Sequence, residues 1–392
     1  MIPLGKPDIP VGKPGIPADA WKDIRAILAS GQLVEGARCR EFAQALGREF
    51  GSPHVVLVNS GTSALYLALK ALDIGPGDAV LVPAYSFPAT ANAVAWAGAA
   101  PIFTDIDPLT WNMDAETVQA RLATLTAAQI KPIKAVMPVQ AFGNPVAIAP
   151  LRALARSRGW KVIEDAACAI GSSLDGQACG THGEIGCFSF HPRKILTTSE
   201  GGALVVRSAK VAARLELLKN HGMIKKAGKV LFPGIGLNLR FTEVAASLGL
   251  SQLRILPALL SERAALAERY LAGFRNLGMT AQAALPGGKP NRQSLVARLP
   301  VKGTAARDKV FAALAKDGIQ VTIGTYFIPA LPSYRKGTDR GTVGGGGSGK
   351  GKPASYPAAE TLFRQAISLP LYPGLGKAGV DQVLEGLRRA LG

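Results

Sequence analysis

The chain is poor in cysteine, histidine and aromatic residues, and short of acid relative to base. Its four cysteines, Cys39, Cys168, Cys179 and Cys187, are irregularly spaced. They are too few for a disulfide framework and lack paired zinc spacing, so no metal site is expected. A reducing cytoplasm is the expected home. No run of 18 or more apolar residues occurs, so no membrane span is expected. The start, Met1 to Pro7, lacks the apolar segment of a secretory signal. Acids number 27 against 45 lysines and arginines, a formal net charge of +18. Such a balance suits a nucleic-acid binder, but the basic residues are scattered and no nucleic-acid motif accompanies them. The charge is read instead as a positive potential that draws in anionic small molecules.

What is present is ordinary for a folded protein: 392 residues, 48% of them hydrophobic, enough for a sizeable core and two domains. After a Pro/Gly-rich start, a helix is expected around 21–29. From about 35 to 250, apolar strands alternate with helical stretches, the pattern of a doubly wound sheet. Strands are expected at 55–58, 79–82, 101–105, 135–139, 161–164, 187–190 and 203–206. A helix over 253–275 crosses to a smaller C-terminal domain, with strands at 294–299 and 319–323. The expected division is residues 1–250 and 251–392. A low-complexity stretch at about 336–352 contains Gly344-Gly345-Gly346-Gly347 and reads as a flexible loop.

Four segments carry chemistry. Lys194 stands in Ser189-Phe190-His191-Pro192-Arg193-Lys194, after an apolar run and before a glycine-ended turn. A lysine forced into an apolar pocket loses hydration and becomes a usable amine nucleophile, as Schiff-base chemistry with an aldehyde cofactor needs. Upstream, Val162-Ile163-Glu164-Asp165-Ala166-Ala167-Cys168 is an apolar strand ending in two acids, where open α/β sheets bind ligands. Pyridoxal phosphate (PLP) needs a carboxylate against its ring nitrogen, and Asp165 would supply it. In Asn59-Ser60-Gly61-Thr62-Ser63 a strand runs into a helix; glycine lets the backbone approach an anion, and amides and hydroxyls at a helix start bind phosphate. In Pro83-Ala84-Tyr85-Ser86-Phe87-Pro88, an aromatic on the loop after a strand can stack on a flat heteroaromatic ring. Each segment alone has a plainer reading: a solvated lysine, a helix cap, a capped helix, a core aromatic.

Taken in order, Ser-Gly-Thr at 60–62, Pro-Ala-Tyr-Ser-Phe at 83–87, Glu-Asp-Ala-Ala-Cys at 164–168 and Ser-Phe-His-Pro-Arg-Lys at 189–194 resemble the DegT/DnrJ/EryC1/StrS family. These are PLP-dependent sugar aminotransferases. The resemblance spans nearly the whole chain, from Ile2-Pro3-Leu4-Gly5 to Leu371-Tyr372-Pro373-Gly374. It implies an α/β fold like aspartate aminotransferase (fold type I), with a mostly parallel seven-stranded central sheet and a smaller α+β C-terminal domain. It implies that Lys194 binds the cofactor aldehyde and Asp165 the ring nitrogen. Cys168 stands near the cofactor's 3-hydroxyl, a place often held by glutamine. Phe87 stacks on the ring. Gly61, Thr62 and Ser189 take the phosphate, and Asn238 reaches the phosphate of a neighbouring subunit. That last match implies a homodimer with shared active sites. Related sugar dehydratases carry histidine where Lys194 stands, so the lysine argues for transamination.

The resemblance further implies an amino donor, L-glutamate or glutamine, and a nucleotide-linked keto-sugar as acceptor. Alternatives are a ketocyclitol acceptor, or a PLP-binding regulator without turnover. Several residues depart from the family pattern where the acceptor would bind. Gln140 stands where many relatives have histidine, Tyr326-Phe327 where many have His-Tyr, and Tyr372 replaces a frequent histidine. Gln140, Tyr326 and Lys350 of the basic, glycine-rich segment are the candidate substrate contacts.

Overall fold

The computed structural model describes residues 9–12, 16–18, 20–335 and 354–392. The glycine-rich segment, with Lys350, lies outside them.

The apolar runs form seven strands: β1 (His54–Val58), β2 (Ala79–Pro83), β3 (Ala100–Thr104), β4 (Ile133–Val136), β5 (Lys161–Asp165), β6 (Ile185–Ser189) and β7 (Gly202–Val206). They build one sheet in the order β1-β7-β6-β5-β4-β2-β3. The four pairings from β6 to β3 are parallel, and β7 runs against both its neighbours. This is the mostly parallel seven-stranded sheet expected.

Such a sheet is covered on both faces, so its strands are apolar throughout rather than alternating. Val80 and Val82 enter one core while Ala79 and Leu81 enter another. Leu204 and Val206 likewise face away from Ala203 and Val205. One face is covered by helices α1 (Gly61–Ala71) and α2 (Ala89–Trp96), whose Leu65, Leu69, Ala91 and Val94 are buried there.

The long helix α3 (Glu243–Phe274) joins two cores. Its first half places Ala246, Leu250, Leu256 and Leu259 beneath the large sheet. Its second half places Leu266, Ala267, Tyr270 and Phe274 in a separate core with a three-stranded sheet, β8 (Thr280–Ala281), β9 (Leu295–Arg298) and β10 (Ala366–Leu369). Position 250 falls inside this helix. By length and composition it could cross a bilayer. It also carries Arg254, Glu262, Arg263, Glu268 and Arg269, and its apolar side chains are divided between the two cores.

Local expectations needed adjustment in three places. The helix begins at Glu243 rather than 253, because Thr242 Oγ1 accepts the Ala245 N–H and caps it there. The fourth strand ends at Val136, and Val139 makes only a single bridge to Asp165. Residues 319–323 form no strand; Ile319 and Thr322 make isolated bridges to Ile9 and Ser368.

Candidate active site

β1, β5 and β6 point the same way, so their carboxyl ends share one edge of the sheet. Ligands bind at that edge in open α/β folds. Here β5 delivers Asp165, β6 delivers Ser189 and then the loop bearing Lys194, and β1 leads into the start of α1.

Asp165 is 4% exposed. Its Oδ2 accepts from Thr90 Oγ1 at 2.7 Å and its Oδ1 from the Ala167 N–H at 3.2 Å. Burial pushes the carboxyl above its ordinary range; these two bonds and the positive charge of Lys194 act against that shift. A cation placed against it would be held strongly.

Lys194 is half-buried. Its Nζ lies 3.1 Å from Cys168 Sγ. Beside it opens a cavity of about 330 Å³, lined by Arg193, Gln293, Ser294, Thr322 and Tyr372 among others. A larger groove of about 740 Å³, lined by Arg48, His54 and Glu216, does not include Lys194 or Asp165.

The register aligns Val58 with Gly202 and Gly202 with Ser189. The start of α1 therefore stands over Ser189. Two glycines make this possible. A Cβ on Gly61 would lie 2.7 Å from Ser189 Cβ, and one on Gly202 would lie 2.6 Å from the carbonyl carbon of Ser60. Ser60 caps the helix by accepting the Ser63 N–H. The first N–H groups of any helix lack partners within it, and Gly61 stands directly against Ser189.

Phe87 is 64% exposed, with its ring edge-on to Tyr326 at 6.0 Å between centroids. Tyr326 reaches this position because Tyr326–Phe327 pairs with Tyr85–Ser86. Asn238 is exposed, on a segment bridged to Asn220; the next residue's carbonyl accepts the Asn59 N–H at 3.1 Å.

Gln140 is placed differently from expectation. It is 1% exposed; its Oε1 accepts the Val146 N–H and its Nε2 donates to Glu164. The amide ties the interior together and does not line the cavity beside Lys194.

Sequence reasoning gave no role to Thr90 or Glu164. Glu164 is fully buried and accepts N–H groups from Gly180, His182 and Gly183 at 2.7–2.9 Å, besides the Gln140 amide. Burial works against its charge, but the neighbouring His182 and these N–H groups hold its pKa below the usual carboxylate range. Successive strand residues face opposite ways. Two adjacent acids at a strand end are thus one for each face, and that signal was readable.

The residues present fit PLP. A lysine amine beside a thiol, a buried carboxylate lacking a cation among its described hydrogen bonds, and a glycine-cleared helix start against a serine stand along one sheet edge. They would meet the aldehyde, the ring nitrogen and the phosphate.

The family model described as the DegT/DnrJ/EryC1/StrS aminotransferase family matches residues 15–388. The chain is 33% identical to GDP-perosamine synthase of Caulobacter vibrioides, covering 90% of this chain and 89% of that protein. It is 31% identical to the dTDP-4-dehydro-2,3,6-trideoxy-D-glucose 4-aminotransferase of Saccharopolyspora spinosa, covering 94% and 93%. The Streptococcus pneumoniae protein Spr1654, solved in PLP- and PMP-forms, is 26% identical. Its PMP-form superposes with a TM-score of 0.87, covering 98% of this chain and 99% of that one.

Proposed function

Because the chain belongs to the DegT/DnrJ/EryC1/StrS aminotransferase family and is therefore a PLP-dependent aminotransferase, we propose that it moves an amino group from L-glutamate or glutamine to a nucleotide-linked keto-sugar. The observation that carries the site assignment is the placement of Lys194 Nζ, beside Cys168, on the same sheet edge as the buried carboxylate of Asp165. Relatives named for GDP- and dTDP-sugars support the acceptor class.

PLP, when bound, supplies the aldehyde that carries the amino group and a ring that withdraws electrons from the reacting carbon. Lys194 would hold the cofactor at its aldehyde, and its amine would move the proton at the donor's α-carbon. Asp165 would face the ring nitrogen and favour its protonated form. Thr90 orients that carboxylate by donating to Oδ2. Gly61, Thr62 and Ser189 would bind the phosphate, Phe87 would cover the ring, and Cys168 would stand near the 3-hydroxyl. Tyr326, beside Phe87, contacts the acceptor. Asn238, exposed on one chain, completes the phosphate site of a second copy in a closed two-fold dimer.

The test uses cofactor-loaded protein. L-glutamate should bleach its visible absorbance, and the resulting amino form should then aminate an acceptor. A panel of nucleotide keto-sugars and ketocyclitols, read by product mass, identifies the acceptor class. Amination of ketocyclitols alone would refute the sugar assignment, and failure of both donors to bleach the cofactor would refute the donor.

A further inference from the structure

The loop that carries Lys194 is gripped from outside by a strip of three residues, Asn291-Arg292-Gln293. Gln293 is 6% exposed. Its Nε2 donates to the carbonyl of Arg193 at 2.7 Å, and its Oε1 accepts the N–H of Ile195 at 3.0 Å. One side chain thus engages the main chain immediately before and immediately after Lys194. Asn291, 4% exposed, grips the opposite wall. Its Nδ2 donates to the carbonyls of Cys168 and Ile170 at 2.8 and 2.7 Å, and its Oδ1 accepts the Gln293 N–H at 2.8 Å. The strip therefore spans the two turns whose side chains meet at Lys194 Nζ and Cys168 Sγ.

Arg292, between them, has φ +55°, a left-handed conformation that residues bearing a Cβ rarely adopt. Such a conformation persists only where its surroundings enforce it. Here the enforcing group is Arg263, 5% exposed. Its Nε and Nη2 donate to the Arg292 carbonyl at 3.1 and 2.9 Å, its Nη2 to the Gln293 carbonyl at 2.6 Å, and its Nη1 to the Leu371 carbonyl at 2.9 Å. These bonds all go to main-chain oxygens, and burial lowers its pKa to about 10. A guanidinium buried among carbonyls is a costly way to gain stability. It is an effective way to fix three carbonyls at once, because its five donors form a rigid fork.

We propose that Gln293 is a positioning residue for Lys194: its amide fixes the peptide groups on both sides of the lysine, and Arg263 holds the kink that aims it. A lysine has a flexible four-carbon stem on a loop, and its nitrogen must reach two different carbons during transfer. Fixing the main chain beside it confines that motion to the side chain. A displacement of about 1 Å at such a group is enough to cost roughly 10²-fold in rate.

The inference rests on Lys194 being the cofactor lysine, so the experiment reads that separately. Wild type, Lys194→Ala, Gln293→Met and Gln293→Glu are prepared free of cofactor. PLP is added, the adduct is trapped by borohydride, and peptide mapping locates it. Hydrogen exchange of the 190–196 peptide, melting temperature and steady-state kinetics are recorded alongside. Methionine keeps the length of Gln293 and removes both bonds. Glutamate keeps the acceptor for Ile195 and loses the donation to Arg193, so it serves if the methionine variant fails to fold.

The expected result is a trapped adduct on Lys194 in wild type and none there in Lys194→Ala. In the folded Gln293 variants, capture slows at least tenfold, kcat falls about 10²-fold with donor KM little changed, and exchange quickens in 190–196 but not elsewhere. A folded variant with capture and kcat within threefold of wild type would overturn the positioning role. So would loss of activity in both variants in step with melting temperature and global exchange. An adduct formed on another lysine in wild type would instead overturn the assignment of Lys194 itself.

Discussion

Replacing Asp165 with asparagine separates what this carboxylate does for catalysis from what it does for folding. In the cofactor-free protein the carboxylate is buried, and its described polar contacts are the Thr90 hydroxyl and the Ala167 N–H. Asparagine has nearly the same shape and can keep both contacts. Its Oδ1 accepts the Ala167 N–H, and its Nδ2 donates to Thr90 Oγ1. The Thr90 hydroxyl then turns toward Ser86 Oγ, 3.0 Å away. The hydrogen bond to a charged acceptor becomes a neutral one, a loss of about 1 kcal/mol. Against this, a desolvated charge is removed, whose effective cost is several kcal/mol. The variant should therefore melt higher than wild type at neutral pH by on the order of 2–4 °C.

The pH dependence has a definite sign. Burial raises the folded-state pKa of Asp165 above its unfolded value. The folded protein thus holds this proton more tightly, and the resulting stability is fully present below the unfolded pKa and lost as pH rises through the folded one. Asparagine does not suffer that loss. The advantage of Asp165→Asn should be largest at neutral pH and close as the solution is acidified. Turnover should move the other way, falling about 10²–10³-fold, the scale of removing one preorganised electrostatic partner. Melting curves of cofactor-free protein between acid and neutral pH, with turnover of the loaded enzyme, decide it. A variant less stable than wild type at neutral pH, or one within tenfold of its turnover, would refute this account of Asp165.

Glu164→Gln should destabilise the fold by about 3–5 kcal/mol, because an amide NH₂ would face the N–H groups of Gly180, His182 and Gly183. Since the Glu164 pKa is lowered in the fold, its stabilisation exists above the unfolded pKa and is lost as pH falls through the folded one. Wild type should therefore lose that increment in acid, while the variant's melting temperature shows a flatter pH profile. Gly61→Ala should weaken PLP binding roughly 10–100-fold, the value of one charge-assisted contact, as its Cβ would press on Ser189; equilibrium dialysis measures this, and unchanged affinity would remove Gly61 from the phosphate site. If Asn238→Ala is severely impaired, mixing it with Lys194→Ala under conditions of subunit exchange should restore activity, since one site of a mixed dimer escapes both defects. No recovery despite exchange would assign Asn238 to its own chain.

The strands of the large sheet were legible because both faces are buried, so each appears as a short apolar run closed by a polar turn. The candidate site was legible where a local rule demanded a particular residue. Gly61 answers to close backbone approach, and Lys194 to its strand-and-turn setting; Gly202, packed against Ser60, was seen only in the structure. Helix α3 was misjudged at its start because Ala245-Ala246-Ser247-Leu248-Gly249-Leu250-Ser251 is a poor helical pattern alone. Its beginning is fixed instead by the Thr242 cap and by Glu243, which turns back to accept the N–H groups of Gly36, Arg38 and Cys39. That anchor lies about two hundred residues away in sequence, where no local pattern reveals it.

Gln140 shows the same limit from the other side. The family resemblance made it a candidate substrate contact, and its hydrogen bonds point inward. Its partner, Glu164, is the acid that the sheet turns away from the candidate site, while Asp165, one residue later, is turned toward Thr90. A strand's two-residue period distinguishes these neighbours once the strand is placed, and it assigns them opposite tasks: one charge neutralised by three N–H groups and an amide, the other held by only two described hydrogen bonds. The same argument explains why the second acid suits a cofactor. Glu164 has its partners within the fold, whereas Asp165 is a buried anion with no cation among its described hydrogen bonds, and a protonated ring nitrogen would supply one. The bound cofactor should accordingly reverse the upward shift of the Asp165 pKa that burial imposes on the protein alone.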